Sequence, residues 1–497
     1  MTDTESESPA RGPTHIHGEA ARFQFFSVIA RSGLLFVFQW LVARAYGAGP
    51  FGVVSLAQTG TQAAAMLGRA AGDIIVLRGP PATPDANSQT LAVGITVSLV
   101  GGLIAAVGLF AWGVTAIGVR LGYPIAPPFL LAAVTVPLTS IAFPLAAGLQ
   151  RAGRFRSYSL VATSVDPVVR NIAFLAGLLV GAHWLFALSS ATLGAAAAVL
   201  VGLWSLGPSL RRLRPTLRLG AGRKALVFFC LTTTVATSAQ AALPFVALSL
   251  LALLGYGADT GPFAAATRIA MLSLWIQTAL AAPFLPRIAD RVRHGGAAAS
   301  DLDQEYRQVI AAVLWVNGPL LLGLVVAAKP VLGLFGPEFT RGAGVLALLA
   351  ASQWVNSATA LAEDFLPLSG RSQLALLNNL GQLAFVAICG YLLGKKFGML
   401  GIAIAYATAV TLVNTVRAAQ LRRLFNVSLP LGTITKYGAC WAITAAVTML
   451  LATGQTFVPS QQVLLAIGAA LACGTLMLVV SSHDERRALS VLIQPGR

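Results

Sequence analysis

Long apolar runs alternate with short polar breaks along the chain, and the breaks carry most of the charge. Runs of about 20 apolar residues cross a bilayer as helices, whereas barrel strands alternate over about 10. By that rule the pattern predicts spans over 23–45, 51–77, 90–119, 127–149, 158–180 and 184–206 in the first part of the chain. The second part follows with 225–254, 261–285, 309–328, 342–365, 373–393, 399–420, 437–451 and 462–481. The expected architecture is an all-α polytopic membrane protein of about fourteen helices.

The stretch 45–78 organises this pattern. It opens as a loop, because Gly47, Gly49 and Pro50 interrupt the helix. It then runs apolar through 51–77 with Arg69 and Asp73 inside. A similar phrase returns half a chain later, YGAGPF at 46–51 and YGADTGPF at 256–263. The basic stretch 207–224 separates six spans from the next six, and the last two spans lie outside the repeat. Even numbers make the halves parallel repeats related by an axis along the membrane normal.

The expected organisation is a disordered cytoplasmic tail over 1–21, a first lobe over 22–206 and a basic linker over 207–224. A second lobe covers 225–425, two extra helices 426–482, and a further cytoplasmic tail 483–497. Arg151, Arg154, Arg156, Arg211, Arg212 and Arg214 fall on the side of the termini, and far fewer basic residues fall opposite. Basic residues stay cytoplasmic, so both termini are expected inside.

Composition agrees. Of 497 residues, 56% are hydrophobic and 10% charged, with mean hydropathy +0.77. A soluble domain carries about 25% charged residues. The net charge of +17 sits in short loops, which speaks for topology and against a nucleic-acid partner. Cys230, Cys389, Cys440 and Cys473 lie apart within apolar runs and form no metal spacing or disulfide framework. No GxxxxGK[ST] phosphate loop and no nucleophile–base constellation appears, so neither a cofactor nor enzymatic chemistry is expected. Trp112, Trp184, Trp204 and Trp441 read as interfacial anchors.

The candidate chemistry lies in the charges inside spans: Arg31, Arg69, Arg170, Arg268, Asp73 and Asp166. Each near a helix centre costs about 2.5–3.5 kcal/mol on insertion scales, so they should face the protein interior. Arg69 with Asp73, and Asp166 with Arg170, are four residues apart on one helical face. For these pairs an internal salt bridge and a substrate or coupling role stand as alternatives. Arg31 and Arg268 have no acidic partner at helical spacing and read as anion-facing. At about 1.5 Å per residue, Arg268, Arg31 and Arg69 step across the bilayer from outside to inside. A guanidinium suits phosphate because its fork donates two parallel hydrogen bonds. Glu363 and Asp364 read as a solvated helix end, and Gly68 with Gly72 as a close-packing GxxxG.

Three stretches carry a resemblance. ARAYGAGPFGVVSLAQ at 43–58 resembles the first outer loop and second helix of polysaccharide flippases. LFGPEFTRGAGVLALLAAS at 334–352 is similar to their loop before the tenth helix. FGMLGIAIAYATAVTLVNTVRAAQLRRLF at 397–425 resembles their twelfth. The chain thus resembles Wzx-type lipid-linked oligosaccharide flippases of the MOP superfamily, which also holds lipid II flippases and MATE exporters. The resemblance implies two six-helix lobes, a central cavity and alternating access. It implies a cargo of undecaprenyl-pyrophosphate-linked glycan, moved between leaflets of the bacterial inner membrane for surface polysaccharide assembly. Membrane lipid and other polysaccharide-assembly proteins are the implied partners. Cavity arginines on the first, second and eighth helices of the family correspond to Arg31, Arg69 and Arg268. A cation-coupled drug exporter on the same fold and a membrane-embedded glycan polymerase or ligase are the competing classes.

Overall fold

The computed structural model describes residues 13–77, 84–117, 126–207, 224–281, 299–359, 362–452, 458–483 and 485–486. Among them there is no strand. The expected linker 207–224 falls almost wholly outside the described residues. The first helix, α1, is Pro13–Tyr46. It begins inside the segment 1–21 expected to be a tail. Proline suits a helix start, where its missing N–H is no loss, and Glu19, Ala20 and Ala21 are good helix formers.

The first half continues with α2, Ala48–Gly68 and then Gly72–Leu77 after a break, and α3, Pro84–Trp112. Next come α4, Ala126–Arg151, and α5, whose parts Phe155–Ser159 and Val165–Leu179 flank a π-helical turn. Helix α6 is Phe186–Leu206. The second half holds α7, Lys224–Ala241 and Leu243–Leu253, and α8, Thr260–Ala270 and Leu272–Ala281. Then follow α9, Ala299–Val326, and α10, Ala343–Ala358 and Ala362–Leu368. Helices α11 and α12 are the arms of Ser372–Phe425 on either side of Gly398. The last pair is α13, Leu431–Ala452, and α14, Pro459–Val480.

By length and apolarity, 8 described helices can cross a membrane, or 9 counting the two parts of α7, which meet at 47°. That count takes Ser372–Phe425 once, and three of the breaks along the chain have a local cause. In α5, Pro167 has no N–H to give, and the π turn Leu160–Ser164 absorbs the mismatch just before it. In α2, Gly68 and Gly72 bring α3 so close that a Cβ on Gly68 would lie 2.7 Å from Gly102 Cα. Ala70 and Ala71 between them have φ of 43° and 59°, a left-handed turn costing roughly 1–2 kcal/mol per residue. The freed Arg69 carbonyl accepts the Ser98 hydroxyl at 2.7 Å. Gly398, with φ 58°, folds α12 back along α11, where the Asn378 and Gln420 amides exchange hydrogen bonds of 2.8 and 3.1 Å.

Helices α3, α4, α5 and α6 pack together, and α9 packs with α10, α13 and α14. Helix α2 touches its own half and also α7 and α8. Lipid tails are as apolar as leucine, so close backbone approach and dispersion, rather than exclusion of water, hold such helices together. Leu179 and Trp204, 89% and 81% exposed, face outward as lipid-facing groups do. Trp184, read as an interfacial anchor, is 8% exposed and belongs to the main buried apolar cluster.

The two related phrases meet at one end of the bundle, here called the Tyr46 end. A Cβ on Gly52 would stand 2.8 Å from Gly261 N, and one on Gly261 would run into the Ala48 carbonyl. Only glycine permits this approach of backbones. Phe51 packs edge-on against Phe339 at 5.5 Å, and Trp40 Nε1 donates to Leu334 O at 3.0 Å. These contacts join α1 and α2 to α8 and the segment leading into α10.

Candidate functional site

Beneath this seal lies a cavity of about 160 Å³ bounded by α1, α2, α4, α5, α6 and α8. Arg31, Leu35 and Gln39 reach it from one face of α1, four residues apart, as helical geometry requires. Asp166 and Arg170 enter from α5, Arg268 and Trp275 from α8, and Phe143 from α4. Four of the six charged residues picked out from the sequence therefore share one cavity.

The charges fall into two classes. Arg170 Nη2 holds both oxygens of Asp166, at 2.8 and 2.9 Å, and its guanidinium lies 5.6 Å from the Phe38 ring centroid. That bidentate pair is neutral as a unit. Arg31 and Arg268 line the same cavity, and among the described residues neither has a hydrogen-bond or ion-pair partner. Arg31 lies within electrostatic reach of Asp166 and Arg170, and Arg268 within reach of Arg170. The described wall of the cavity thus carries two cations whose donors are uncommitted.

Arg69 and Asp73 stand beside this cavity rather than on its wall. Arg69 Nη1 pairs with Asp73 Oδ2 at 3.0 Å, and Nη2 donates to Thr237 Oγ1 on α7 at 2.9 Å. The guanidinium lies over the cavity-lining Phe143 ring at 5.3 Å. Arg69 Nε and Asp73 Oδ1 are buried without partners. The break in α2 places Arg69 where it can cross from one half to the other.

Two polar groups were not picked out from the sequence. Gln39 and Gln58 line the cavity and face each other across α1 and α2, with Gln39 Nε2 donating to Gln58 Oε1 at 2.5 Å. The spacing Arg31–Leu35–Gln39 is their only sequence signal. Arg417 of α12 is 4% exposed and binds Glu363 Oε2 at 3.2 Å, Asn379 Oδ1 at 2.6 Å and Asn414 Oδ1 at 3.2 Å. Arg422 and Arg423 follow within two turns, so Arg417 reads as part of a basic helix end. Glu363, expected at a solvated helix end, is held by this buried guanidinium instead.

No protein-family model matches the sequence, and no curated protein matches it significantly. Its fold is shared with solved structures of MOP superfamily transporters, and helices of both halves line the cavity. A solved structure of lipid II flippase MurJ in an inward closed conformation aligns with a TM-score of 0.68 at 14% identity, covering 93% of this chain and 99% of MurJ. An inward-facing multidrug resistance MATE family transporter aligns at 0.65 with 13% identity, covering 81% and 98%. A MOP superfamily transporter from Pyrococcus furiosus, whose binding pocket is described as reversed in polarity, aligns at 0.59 with 14% identity, covering 84% and 99%. The all-α polytopic fold expected from the apolar pattern is the fold found.

Proposed function

We propose that this protein carries an undecaprenyl-pyrophosphate-linked oligosaccharide from the cytoplasmic to the periplasmic leaflet by alternating access, for surface polysaccharide synthesis. One observation carries the reading: Arg31 and Arg268 present uncommitted guanidiniums to a partly open cavity between helices of both halves. A pyrophosphate diester carries two negative charges, and these two guanidiniums match them in charge. A multidrug exporter of cationic compounds would be repelled by the same pair. The bond-free mechanism asks only that the cavity face each leaflet in turn while the lipid tail stays in the bilayer. The Tyr46 end then faces the periplasm, both termini the cytoplasm, and membrane lipid and the glycan-assembly proteins are the partners. Asp166 orients Arg170 beside the cargo. In the state described Arg69 is committed to Asp73 and Thr237, and it reaches the pyrophosphate once those bonds part.

The test is complementation of a deletion strain. Arg31→Ala and Arg268→Ala proteins that reach the membrane folded are expected to reduce surface glycan at least tenfold. Wild-type glycan from either one removes the assignment of these cations. Drug resistance on overexpression with intact glycan on deletion transfers the protein to the exporter class.

A further inference from the structure

The cavity has a second polar end that the cations do not explain. Gln39 is 5% exposed, and its Oε1 makes no hydrogen bond; the same is true of the buried Nε2 of Gln58. Their mutual bond uses one donor and one acceptor, which leaves the Gln39 carbonyl and the Gln58 amide nitrogen without a partner among the described residues. A buried donor or acceptor left unpaired costs about 1–3 kcal/mol. Two such groups at one place are therefore expensive unless something fills them. Thr61 and Gln62, on the same helix as Gln58, add further polar groups to this wall.

We infer that Gln39 and Gln58 form a sugar-reading subsite that takes a hydroxyl or acetamido group of an uncharged sugar. A hydroxyl both donates and accepts, so one group satisfies the Gln39 carbonyl and the Gln58 amide together. Gln39 lies two helical turns from Arg31 on the same face, roughly 12 Å along the axis. That span fits a sugar attached directly to a pyrophosphate held at Arg31 and Arg268. The sugar is uncharged because no free cation among the described wall residues remains for an acidic one. A site that hydrogen-bonds a substrate hydroxyl rejects analogues lacking it, because its own groups are then left unpaired. The inference rests on the proposed pyrophosphate cargo and names the part of it that confers selectivity.

The test compares two probes on purified full-length protein in detergent. One is geranyl pyrophosphate; the other is the same lipid bearing N-acetylglucosamine on its pyrophosphate. Wild type is expected to bind the sugar-bearing probe about tenfold more tightly, the worth of one or two hydrogen bonds. The double variant Gln39→Met/Gln58→Met keeps the shape and removes both amides together, so the pair leaves no unpaired partner behind. It is expected to lose the tenfold preference while holding geranyl pyrophosphate as wild type does, with a melting temperature no lower than that of wild type. A preference that survives in the double variant overturns the subsite, and so does a wild type without preference. If neither probe binds wild type, the pyrophosphate reading itself fails.

Discussion

Arg417 shows what a membrane interior demands of a single charge. Its guanidinium is almost fully buried, and three oxygens from α10, α11 and α12 receive it. Removing one partner of a buried pair costs about 3–5 kcal/mol, whereas replacing both with apolar groups is often neutral. Glu363 keeps 33% of its side chain exposed, so the cost of losing it is discounted. Glu363→Leu should destabilise the protein by about 2–3 kcal/mol. The double variant Glu363→Leu/Arg417→Leu should recover part of that loss, read as melting temperature in detergent. Equal melting temperatures for the single variant and wild type would show that the pair does not hold α10 to α12. The contrast with Arg31 explains how much of the site was legible. Arg31 and Arg268 stand alone in apolar runs, where a charge cannot be ignored, and the structure places both on one cavity. Arg417 lies close to a basic end, and the glutamines carry no charge, so burial alone reveals them.

At the level of elements, helix existence followed from apolar length, and helix continuity did not. The run 51–77 has no proline, and its Gly68, Arg69, Gly72 and Asp73 read as close packing and an ion pair rather than as the turn at Ala70 and Ala71. That turn follows from the crossing with α3, a contact between residues far apart in sequence. The pairs Arg69–Asp73 and Asp166–Arg170 were legible because four-residue spacing on a helix brings side chains together. Past the last helix, Glu485 ties the chain back to α13. It accepts bonds from the Thr433 hydroxyl and the Ser482 backbone N–H. Burial alone would raise its pKa, but these bonds and Lys436 more than offset burial and hold the carboxyl below its usual range. A depressed carboxylate stabilises the fold above its unfolded pKa of about 4.3 and loses that contribution as pH falls through the lower folded value. The melting temperature of Glu485→Gln should therefore lie slightly below wild type at pH 7, by less than about 1 kcal/mol for so exposed a group, and converge with it below pH 4. A gap that widens on acidification would contradict this sign.

For the whole molecule, the repeated phrase had a visible recurrence and an invisible purpose. The two copies meet in the same seal, Gly261 of one against Ala48 of the other, and Gly52 directly after the first copy also approaches Gly261. A side chain on Gly261 would meet the Ala48 main chain, which has no rotamer to yield. Gly261→Leu should hold the Tyr46 end apart and abolish glycan export in the complementation assay. Cysteines introduced for Trp40 and Leu334, close in this state, should be joined by a short bismaleimide in the parent and not in the Gly261→Leu background. Efficient joining in both would show that the seal tolerates the bulk.

A shutter made of main chain has a consequence for how such proteins diversify. Glutamines, threonines and arginines on the chamber wall can be exchanged for others without touching Gly52, Gly261 or Ala48. Recognition and closure are then separately inherited. Descendants of one ancestor could drift from one cargo to another, or reverse the sign of the chamber, and still shut in the same way.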